Sequence, residues 1–205
     1  MGDFPGPITT TTAAAAAAAA TTTTITCRKA VPADAAAVQR LVKSAFRGES
    51  SRAGWTTEAD LVADERIDVA GVAAKIQGPG IIVVAHALAH AQADDGSGNA
   101  LVGCCEIEAK ANGIGYFGLF AVDPKRQAGG LGKQILARAE VMAREELGVR
   151  IMEMTVIWTR TELIAWYLRR GYVKTGRTAP FPYAHLYNGK ALRDDLYFVV
   201  LEKKL

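Results

Sequence analysis

The sequence predicts a protein of the α/β class, with about seven strands and about four helices in a single domain. Four segments repeat apolar residues at helical spacing, and seven shorter runs have the composition or alternation of strands. Turn signals such as Gly78-Pro79-Gly80 and Asn112-Gly113 separate them. In chain order the elements read β-α-α-β-β-β-α-β-α-β-β, so strands and helices are interleaved.

The first half of the chain contains two predicted strands and two predicted helices. A short β-branched run at residues 24–28 predicts the first strand. Residues 32–46 place apolar side chains at i, i+3, i+4, i+7 and i+8, which is typical of an amphipathic helix. Thr57 is a suitable N-cap, so we expect a second helix over residues 57–77. The continuous apolar run at residues 81–86 predicts a buried strand.

The second half begins with a predicted hairpin. Residues 101–109 alternate in polarity and place Glu106 and Glu108 on one face of a strand. Asn112-Gly113 predicts a tight turn into a strand at residues 115–122. The remaining predicted elements are a helix at 130–146, a strand at 150–157, a helix at 162–170, a short strand at 173–176 and a final strand at 196–201.

Composition limits the classes of partner. The chain has 24 Lys and Arg residues against 21 Asp and Glu residues, and these charges are scattered. Such a distribution argues against a nucleic-acid partner. No apolar stretch approaches the ~18 residues that a membrane span requires. We therefore expect a cytoplasmic monomer or homodimer that binds neither nucleic acid nor membrane.

The N-terminal segment is of low complexity. Residues 1–23 are rich in Thr and Ala, and no charge lies between Asp3 and Arg28. The missing positive charge argues against a secretory signal or a transit peptide. We interpret residues 1–23 as a tail and residues 24–205 as one domain.

The three cysteines do not form a disulfide framework, which favours a reducing compartment. Cys104 and Cys105 are neighbours on a predicted strand. Because successive side chains of a strand point to opposite faces, we expect at most one of the two to face the core.

The most informative segment is the glycine-rich turn at residues 122–133. It joins the strand at residues 116–122 to a helix that begins near Gly130. In such a turn successive backbone N–H groups can point at one spot, where the helix N-terminus adds partial positive charge. Only residues without bulky side chains let a diphosphate approach the backbone closely. The segment therefore predicts a pyrophosphate site, the alternative being a connection that binds no ligand.

Spacing excludes two common nucleotide motifs. A Walker A loop would need a glycine where Gln127 stands and a hydroxyl where Gln134 stands. A dinucleotide fingerprint could use Gly130 and Gly132, but Ile135 occupies the position of its third glycine. The residues instead match Gln-x-x-Gly-x-Gly, preceded by Val-x-Pro.

A second motif lies downstream, where Tyr167 begins the pattern Tyr-x-x-x-Gly-aromatic that ends at Gly171-Tyr172. Together, in this order and spacing, the two motifs resemble the GNAT superfamily of acetyl-CoA-dependent N-acyltransferases over about residues 25–205. The resemblance implies the GNAT fold, with a mixed central β-sheet. It also implies an enzyme that uses acetyl-CoA (coenzyme A) as cosubstrate and needs no metal.

The resemblance also implies a cofactor site. In the family, the strand before the turn splays from its parallel neighbour and binds the pantetheine arm through its main chain. In this chain that role falls to Phe120, Ala121 and Val122. The turn would bind the pyrophosphate, and the Gln127 amide could add a side-chain contact. The turn residues are Gln127, Ala128, Gly129, Gly130, Leu131, Gly132 and Lys133.

Candidate catalytic residues follow from the same resemblance. Tyr167 matches the tyrosine that protonates the departing thiolate, and a phenol of pKa about 10 is protonated at neutral pH. A buried helical aromatic is the alternative. Tyr116 stands where some relatives have a glutamate that acts as the general base. Glu108 lies across from Tyr116 if Asn112-Gly113 forms the turn. Both are therefore candidate bases, as is Glu106, although either glutamate could instead face solvent.

Another departure from the family pattern occurs at Arg160. Many relatives have an asparagine that touches the cofactor at this position. Arg160 could contact a phosphate or simply begin a helix.

The acceptor is expected to be a primary amine, attacked without a covalent enzyme intermediate. An N-terminal α-amine of pKa about 7.7–8 is partly neutral at pH 7, whereas lysine at about 10.4 costs roughly 3–4 kcal/mol more to deprotonate. We therefore favour a peptide or protein N-terminal α-amine, with a small-molecule amine as the alternative. Trp55 and Tyr183, in loops, are candidate substrate-binding residues. From a different class, the chain could be a non-catalytic acyl-CoA-binding module.

Overall fold

The described part of the chain, residues 24–87 and 100–205 of a computed structural model, is built around a seven-stranded mixed sheet. The predicted tail at residues 1–23 and the turn cluster at residues 94–99 lie outside these residues. The strands are β1 (Ile25–Lys29), β2 (Val62–Ala63), β3 (Ile81–Ala87), β4 (Leu101–Ala109), β5 (Ile114–Val122), β6 (Ile151–Ile157), β7 (Val173–Pro180), β8 (Lys190–Ala191) and β9 (Tyr197–Lys204).

Helices cover both faces of the sheet. They are α1 (Ala35–Phe46), α2 (Gly48–Ser51), α3 (Val69–Gln77), α4 (Leu131–Leu147) and α5 (Thr161–Leu168). The main sheet has the order β1-β3-β4-β5-β6-β9-β7, and β2 pairs with β8 in a small second sheet. Of the strand pairs that the structure describes, only β5 and β6 run parallel. The sheet is therefore mixed, as expected.

The parallel pair is short. It begins at Ile114 opposite Ile151 and ends at Tyr116 opposite Glu153, whereas β5 continues to Val122. From residue 117 onward β5 therefore diverges from β6 and opens the sheet in a V. The strand on its other side, β4, stays paired with β5 as far as Val122.

A β-bulge accompanies this divergence. The register of β4 and β5 shifts between Cys104 and Glu106, and Leu119 adopts a positive φ of 46°. Such a bulge bends its strand and increases the local twist. Here the bulge lies in the part of β5 that has no pairing with β6, between the parallel pair and the glycine-rich turn.

Two apolar layers enclose the sheet. On one face α1 and α3 pack against Val84, Cys104 and Ala121, and on the other α4 and α5 pack against Cys105 and its neighbours. Both cysteines are fully buried. The expectation that at most one faces the core was therefore wrong, because adjacent strand residues point to opposite faces and both faces are covered.

The second predicted helix is much shorter than expected. Residues 57–68 form turns and the strand β2, and α3 begins only after Asp68, whose carboxylate accepts the Gly71 N–H at 2.6 Å. Thr57 caps no helix but accepts the Ala59 N–H within a local turn. Because Val62 pairs with Ala191 and Glu58 is held by arginines, tertiary contacts override the helical pattern here.

The remaining elements agree with the sequence to within a few residues. The hairpin turn is Ala111–Gly113, with Asn112 in the left-handed region at a φ of 62°. The strand expected at residues 173–176 extends to Pro180, because Thr178 and its neighbours resume pairing with β9 after an irregularity.

Close packing of α4 on the sheet generates a stability prediction. A Cβ on Gly103 would overlap Ile135 Cδ1 and lie 3.2 Å from the Ala121 carbonyl oxygen. We expect Gly103→Ala to lower the free energy of unfolding by about 1–3 kcal/mol through overpacking. Urea unfolding measures this loss.

The double variant Gly103→Ala/Ile135→Val is the matched control, because valine lacks the overlapping Cδ1. It should recover part of the loss, although Ile135→Val alone costs about 0.5–1.5 kcal/mol. Additive losses in the double variant would contradict this packing.

Candidate functional site

A cavity of about 580 Å³ lies where β5 and β6 diverge. We call it the central cavity. It runs from the glycine-rich turn, past the backbone of β5 and the side chain of Tyr167, to a wall formed by residues 46–67. The divergence of the strands therefore joins the predicted cofactor turn to the predicted acceptor loop in one continuous space.

The glycine-rich turn is organised by its own backbone. The Asp123 carboxylate accepts the Lys125 N–H at 3.0 Å and begins a 3₁₀ segment over Pro124–Gly129. Gly130 then adopts a φ of 75°, a left-handed conformation that favours glycine, and α4 follows. A Cβ on Gly129 or Gly130 would meet no atom within 4 Å. The turn therefore presents bare backbone to open space at a helix N-terminus, which suits a pyrophosphate.

The third glycine of the motif faces the protein instead. A Cβ on Gly132 would lie 3.4 Å from Trp166 and 3.5 Å from Phe120. These two rings contact each other at a centroid distance of 6.1 Å, and both line the central cavity. Because Gly132 has no side chain, the rings of Trp166 and Phe120 can pack closely against the start of α4. The side chain of Ala128, another predicted cofactor residue, lies outside the described part of the structure.

The Gln127 side chain has a function that the motif alone did not indicate. Its amide nitrogen donates to Thr56 Oγ1 at 2.7 Å and to the Val122 carbonyl at 3.2 Å. Its amide oxygen accepts the Trp55 N–H at 2.9 Å. Both N–H donors are in use, so the amide ties the cofactor turn to the loop at residues 54–56.

Tyr167 lies on α5 and lines the central cavity, although only 5% of it is exposed. Trp166 and Tyr172 meet its ring edge-to-face at centroid distances of 5.0 and 5.7 Å. Burial raises the pKa of Tyr167 above that of an ordinary phenol, and the opposing charge of Arg160 is the smaller effect. The hydroxyl therefore keeps its proton at physiological pH.

The two candidate bases do not occupy equivalent places. Glu108 pairs with Tyr116 across β4 and β5, as the hairpin predicted. Tyr116 lines the central cavity, and its hydroxyl hydrogen-bonds Thr155 Oγ1 at 3.1 Å. Glu108 lies outside the cavity lining. The third candidate base, Glu106, is ion-paired with Lys75 at 2.7 Å.

A buried charge cluster forms the far wall of the central cavity, and sequence reasoning missed it. Glu58 bonds Arg160 at 2.8 Å through Oε1, and Arg47 at 2.7 Å and Arg66 at 2.8 Å through Oε2. Arg47 also pairs with Asp64. Only Arg160 had been singled out from the sequence. The partners come from separate segments, so no local pattern could have indicated the cluster.

The arginines determine the protonation of Glu58. Burial alone would raise the pKa of this carboxyl, but the charges of Arg66, Arg160 and Arg47 outweigh that effect and lower it. Glu58 is therefore a permanently ionised structural carboxylate and a poor proton acceptor.

The two loop aromatics differ in position. Trp55 lines the central cavity, with its ring centroid 6.4 Å from that of Trp166. Tyr183 lies outside the lining. Its hydroxyl accepts the Leu196 N–H at 2.6 Å, and its ring packs edge-to-face on Phe181. Tyr183 thus holds its loop against Leu196, and the neighbouring loop residues Phe181 and Pro182 line the cavity.

A cation that the sequence did not single out lies near the turn. The Arg170 guanidinium stacks 3.4 Å from the centroid of Trp166 and donates to the Trp166 carbonyl at 2.6 Å. Its buried Nε has no hydrogen-bond partner in the described structure. Arg170 lines the cavity, so it places a positive charge beside the aromatic wall next to the cofactor turn.

Two further properties concern the described residues as a whole. Within residues 24–87 and 100–205, no cluster of three or more His, Cys, Asp or Glu side chains is arranged to hold a metal ion. No helix in the same ranges is both long enough and apolar enough to span a membrane.

Comparison with known proteins identifies this architecture. Residues 78–174 match the sequence model of the family described as "Acetyltransferase (GNAT) domain". No protein of curated function matches the chain. Several solved structures share its fold, each at low sequence identity.

One such structure is of a protein proposed to be a phosphinothricin N-acetyltransferase. It is 18% identical over 89% of this chain and 99% of its own, with a TM-score of 0.61. Another is yncA from Salmonella typhimurium, proposed to be an acetyltransferase and solved with its cofactor acetyl-CoA. It is 18% identical over 89% and 94% of the two chains, with a TM-score of 0.59.

A third structure is a spermidine N-acetyltransferase, a SpeG chimera from Vibrio cholerae and hSSAT. It is 14% identical over 88% of this chain and 95% of its own, with a TM-score of 0.59. These similarities establish a common fold, and the acceptors named for those proteins are theirs only.

The open face of the turn predicts the effect of a side chain at Gly130. We expect Gly130→Val to raise the acetyl-CoA dissociation constant by about tenfold or more, because the side chain would fill the space that a diphosphate needs, and tenfold is ~1.4 kcal/mol. Isothermal titration measures the binding.

Gly148→Val is the matched control. Gly148 ends the same helix with a φ of 64°, and its Cβ would also meet no neighbour. Both variants should lose similar stability through left-handed strain, about 1–2 kcal/mol. Unchanged affinity in Gly130→Val, or equal loss of affinity in both, would contradict the assignment of the turn.

The contacts of Gln127 predict a separate effect on the acceptor. Gln127→Ala removes two hydrogen bonds that hold residues 55 and 56 and a third to the Val122 carbonyl, each worth about 0.5–1.5 kcal/mol. We expect the KM for the amine to rise several-fold, while the acetyl-CoA dissociation constant changes less.

Gly54→Ala disturbs the same contact from the loop side, because its Cβ would lie 2.6 Å from Gln127 Oε1. It should reproduce the effect of Gln127→Ala. An increase confined to the dissociation constant of acetyl-CoA in both variants would instead assign Gln127 to the cofactor.

Proposed function

We propose that this chain, whose residues 78–174 match the GNAT acetyltransferase domain, transfers the acetyl group of acetyl-CoA directly to a primary amine. One observation supports this proposal above all. The bare backbone of the glycine turn, the unpaired edge of β5 and the protonated Tyr167 all face one cavity. Along the cavity, the turn therefore offers a site for the diphosphate of CoA and the β5 edge a site for its pantetheine arm. Tyr167 offers a proton donor for the thioester sulfur at the end of that arm.

The divergence of β5 supports binding of the cofactor arm. Beyond Tyr116, β5 has no ladder partner on its β6 side in the described structure. Unpaired N–H and C=O groups of a strand bind extended amide chains as an added strand would. This geometry supports the predicted contacts of Phe120, Ala121 and Val122 with the pantetheine arm. Because the contacts are main-chain ones, those side chains do not limit the binding.

The glycine turn would hold the diphosphate. Gly129 and Gly130 leave room for it, and the N–H groups of Leu131 and Gly132 lie in the first turn of α4, where backbone donors lack a partner within the helix. The Lys133 N–H instead donates to the Gly130 carbonyl at 3.1 Å, so Lys133 would contribute through its side chain. Gln127 and Ala128 complete the turn, with Gln127 contributing through its backbone. Arg170, stacked on Trp166, supplies a further positive charge nearby.

The transfer then needs one bond made and one broken. The neutral amine nitrogen forms a bond to the thioester carbonyl carbon, the C–S bond breaks, and the sulfur receives a proton from the Tyr167 hydroxyl. The amine loses one proton, and Tyr167 regains one through solvent. The products are an N-acetyl amide and free CoA, so no covalent enzyme intermediate is needed.

The carboxylates of the cavity support a weakly basic acceptor. Glu58 and Asp64 line the space, but both are ion-paired with arginines, and Glu58 has a lowered pKa. Neither suits removal of a proton from a lysine-like amine of pKa about 10.4, whereas a less basic α-amine needs less assistance, and the amine of a peptide N-terminus, at about 7.7–8, needs the least. We propose an α-amine as the acceptor, on a peptide N-terminus or on a small molecule.

Within this proposal, Tyr116 is the candidate that receives the amine proton. It lines the cavity and is hydrogen-bonded to Thr155, which can pass a proton on. Glu108, directly across the ladder, would act only through Tyr116. Trp55 would form an aromatic wall of the acceptor space, and Tyr183 would contribute by holding the loop that carries Phe181.

A test of the proposed function is the replacement Tyr167→Phe. We expect kcat to fall by about 10²–10⁴-fold, the usual contribution of general acid catalysis, with acetyl-CoA affinity retained. The measurement is release of the CoA thiol with a pooled panel of amine acceptors. Tyr172→Phe is the matched control, because Tyr172 is a buried neighbour whose hydroxyl donates to Glu140.

The pH profile of wild-type kcat provides a second readout of the same group. Because burial raises the pKa of Tyr167 above about 10, its acid form persists as pH rises, and no descending limb is expected below pH ~10. Acetyl-CoA binding without turnover of any acceptor, or full activity in Tyr167→Phe, would refute the proposed mechanism.

A further inference from the structure

The far wall of the central cavity carries more positive than negative charge. Three guanidinium groups, of Arg47, Arg66 and Arg160, meet two carboxylates, of Glu58 and Asp64. The side chains of Arg47, Glu58 and Asp64 are each less than a tenth exposed. Each arginine contacts a carboxylate, but the cluster as a whole keeps one more positive than negative charge. Buried charges are unfavourable unless they are paired, so the site favours an anion from a ligand.

Arg66 is the arginine positioned to meet that anion. It lines the central cavity and is 29% exposed, more than the other two. Its backbone has a φ of 59°, and its guanidinium lies 4.1 Å from the centroid of Phe46. These constraints hold the side chain in place without using its donors.

The donors of Arg66 are mostly unused. Only Nη1 is hydrogen-bonded, to Glu58 at 2.8 Å, and the remaining N–H groups have no partner among the residues that the structure describes. A planar guanidinium with free donors is suited to bind a carboxylate or a similar oxyanion in two-point contact.

The other two arginines each make more hydrogen bonds than Arg66. Arg160 bonds Glu58 through Nη1 and the Thr56 carbonyl through Nη2, at 2.8 and 2.9 Å. Arg47 bonds Glu58 and Asp64. Both hold Glu58, which in turn orients Arg66. A second cation on the cavity wall, Lys75, is already paired with Glu106.

We propose that the acceptor is a small amine that carries an oxyanion group, such as a free α-amino acid, and that Arg66 binds the oxyanion. This inference rests on the proposed acetyl transfer and narrows its acceptor. A peptide N-terminus has an amide where an amino acid has its carboxylate, so it would leave the excess charge unmatched. A polyamine would add positive charge to a wall that is already positive.

The experiment compares acids with their neutral counterparts. A panel of free α-amino acids, the matching α-carboxamides, short peptides and spermidine is assayed for CoA release with wild-type protein. We expect kcat/KM for the best amino acid to exceed that for its carboxamide by about tenfold or more, as loss of one charge-assisted bond implies. The amine of the carboxamide is less basic than that of the amino acid, so more of it is neutral and ready to react. Basicity alone would therefore favour the carboxamide, and it cannot explain a preference for the acid.

The variant Arg66→Gln assigns the preference to a residue. The acid-to-amide ratio of kcat/KM should fall by about tenfold, through the KM of the acid, with the KM for acetyl-CoA unchanged. Because the two substrates are compared within each protein, differences in amine basicity cancel between wild type and variant. Arg66→Lys should keep part of the preference.

Arg52→Gln is the matched control. Arg52 lies on the same loop region and pairs with Glu49 and Asp60, but it is exposed and outside the cavity lining. Its acid-to-amide ratio should equal that of wild type. If Arg66→Gln does not fold, the wild-type panel still tests whether the enzyme prefers the acid to the amide, and Arg66→Lys still tests the role of Arg66.

The outcomes separate the two proposals. Turnover with equal use of acid and amide, an unchanged ratio in Arg66→Gln, or preference for peptides or spermidine would overturn the oxyanion inference and leave acetyl transfer intact. Binding of acetyl-CoA with no turnover of any panel member would overturn the proposed function itself.

Discussion

The departure of β5 from β6 is the constraint on which the site depends. Three residue pairs hold the two strands together, and beyond Tyr116 they separate while β5 stays paired with β4. The bulge at Leu119 bends the strand, and the two covering layers of helices hold it there. An interruption in a central sheet leaves backbone groups unpaired, which is unfavourable unless a ligand or water satisfies them. In this fold the interruption creates the binding cavity.

Both ends of the cavity are coupled to one loop. Gln127 holds residues 55 and 56 from the cofactor turn, and Arg160, at the start of α5, holds the Thr56 carbonyl and Glu58 from the other side. The loop therefore bridges the region expected to bind the diphosphate and the helix that carries Tyr167. Buried ion clusters contribute little net stability but specify one arrangement when all their members are paired. Here that arrangement leaves Arg66 free to face the cavity.

Particular residues show how far sequence reasoning extends. The glycine turn before α4, the helix that carries Tyr167 and the Asn112 hairpin were predicted correctly, since each depends on a short pattern with a local physical cause. The helix expected over residues 57–77 forms only from Val69 onward, because Glu58 and Val62 make long-range contacts that outweigh a local pattern over residues 57–68. Cys104 and Cys105 were misjudged for a related reason, since one strand cannot reveal whether both of its faces are covered.

The sequence by itself determined the interleaved α/β class, the glycine turn at the start of α4 and the tyrosine motif, because backbone conformation and helical or strand periodicity are encoded within a few neighbouring residues. Only the tertiary structure decided that Gln127 holds the Trp55 loop and that Glu58 gathers three arginines. It also decided that Arg66 keeps donors free beside the cavity. These properties arise from pairs of residues far apart in the chain, whose charges and hydrogen bonds meet only when the sheet and its two helical layers assemble.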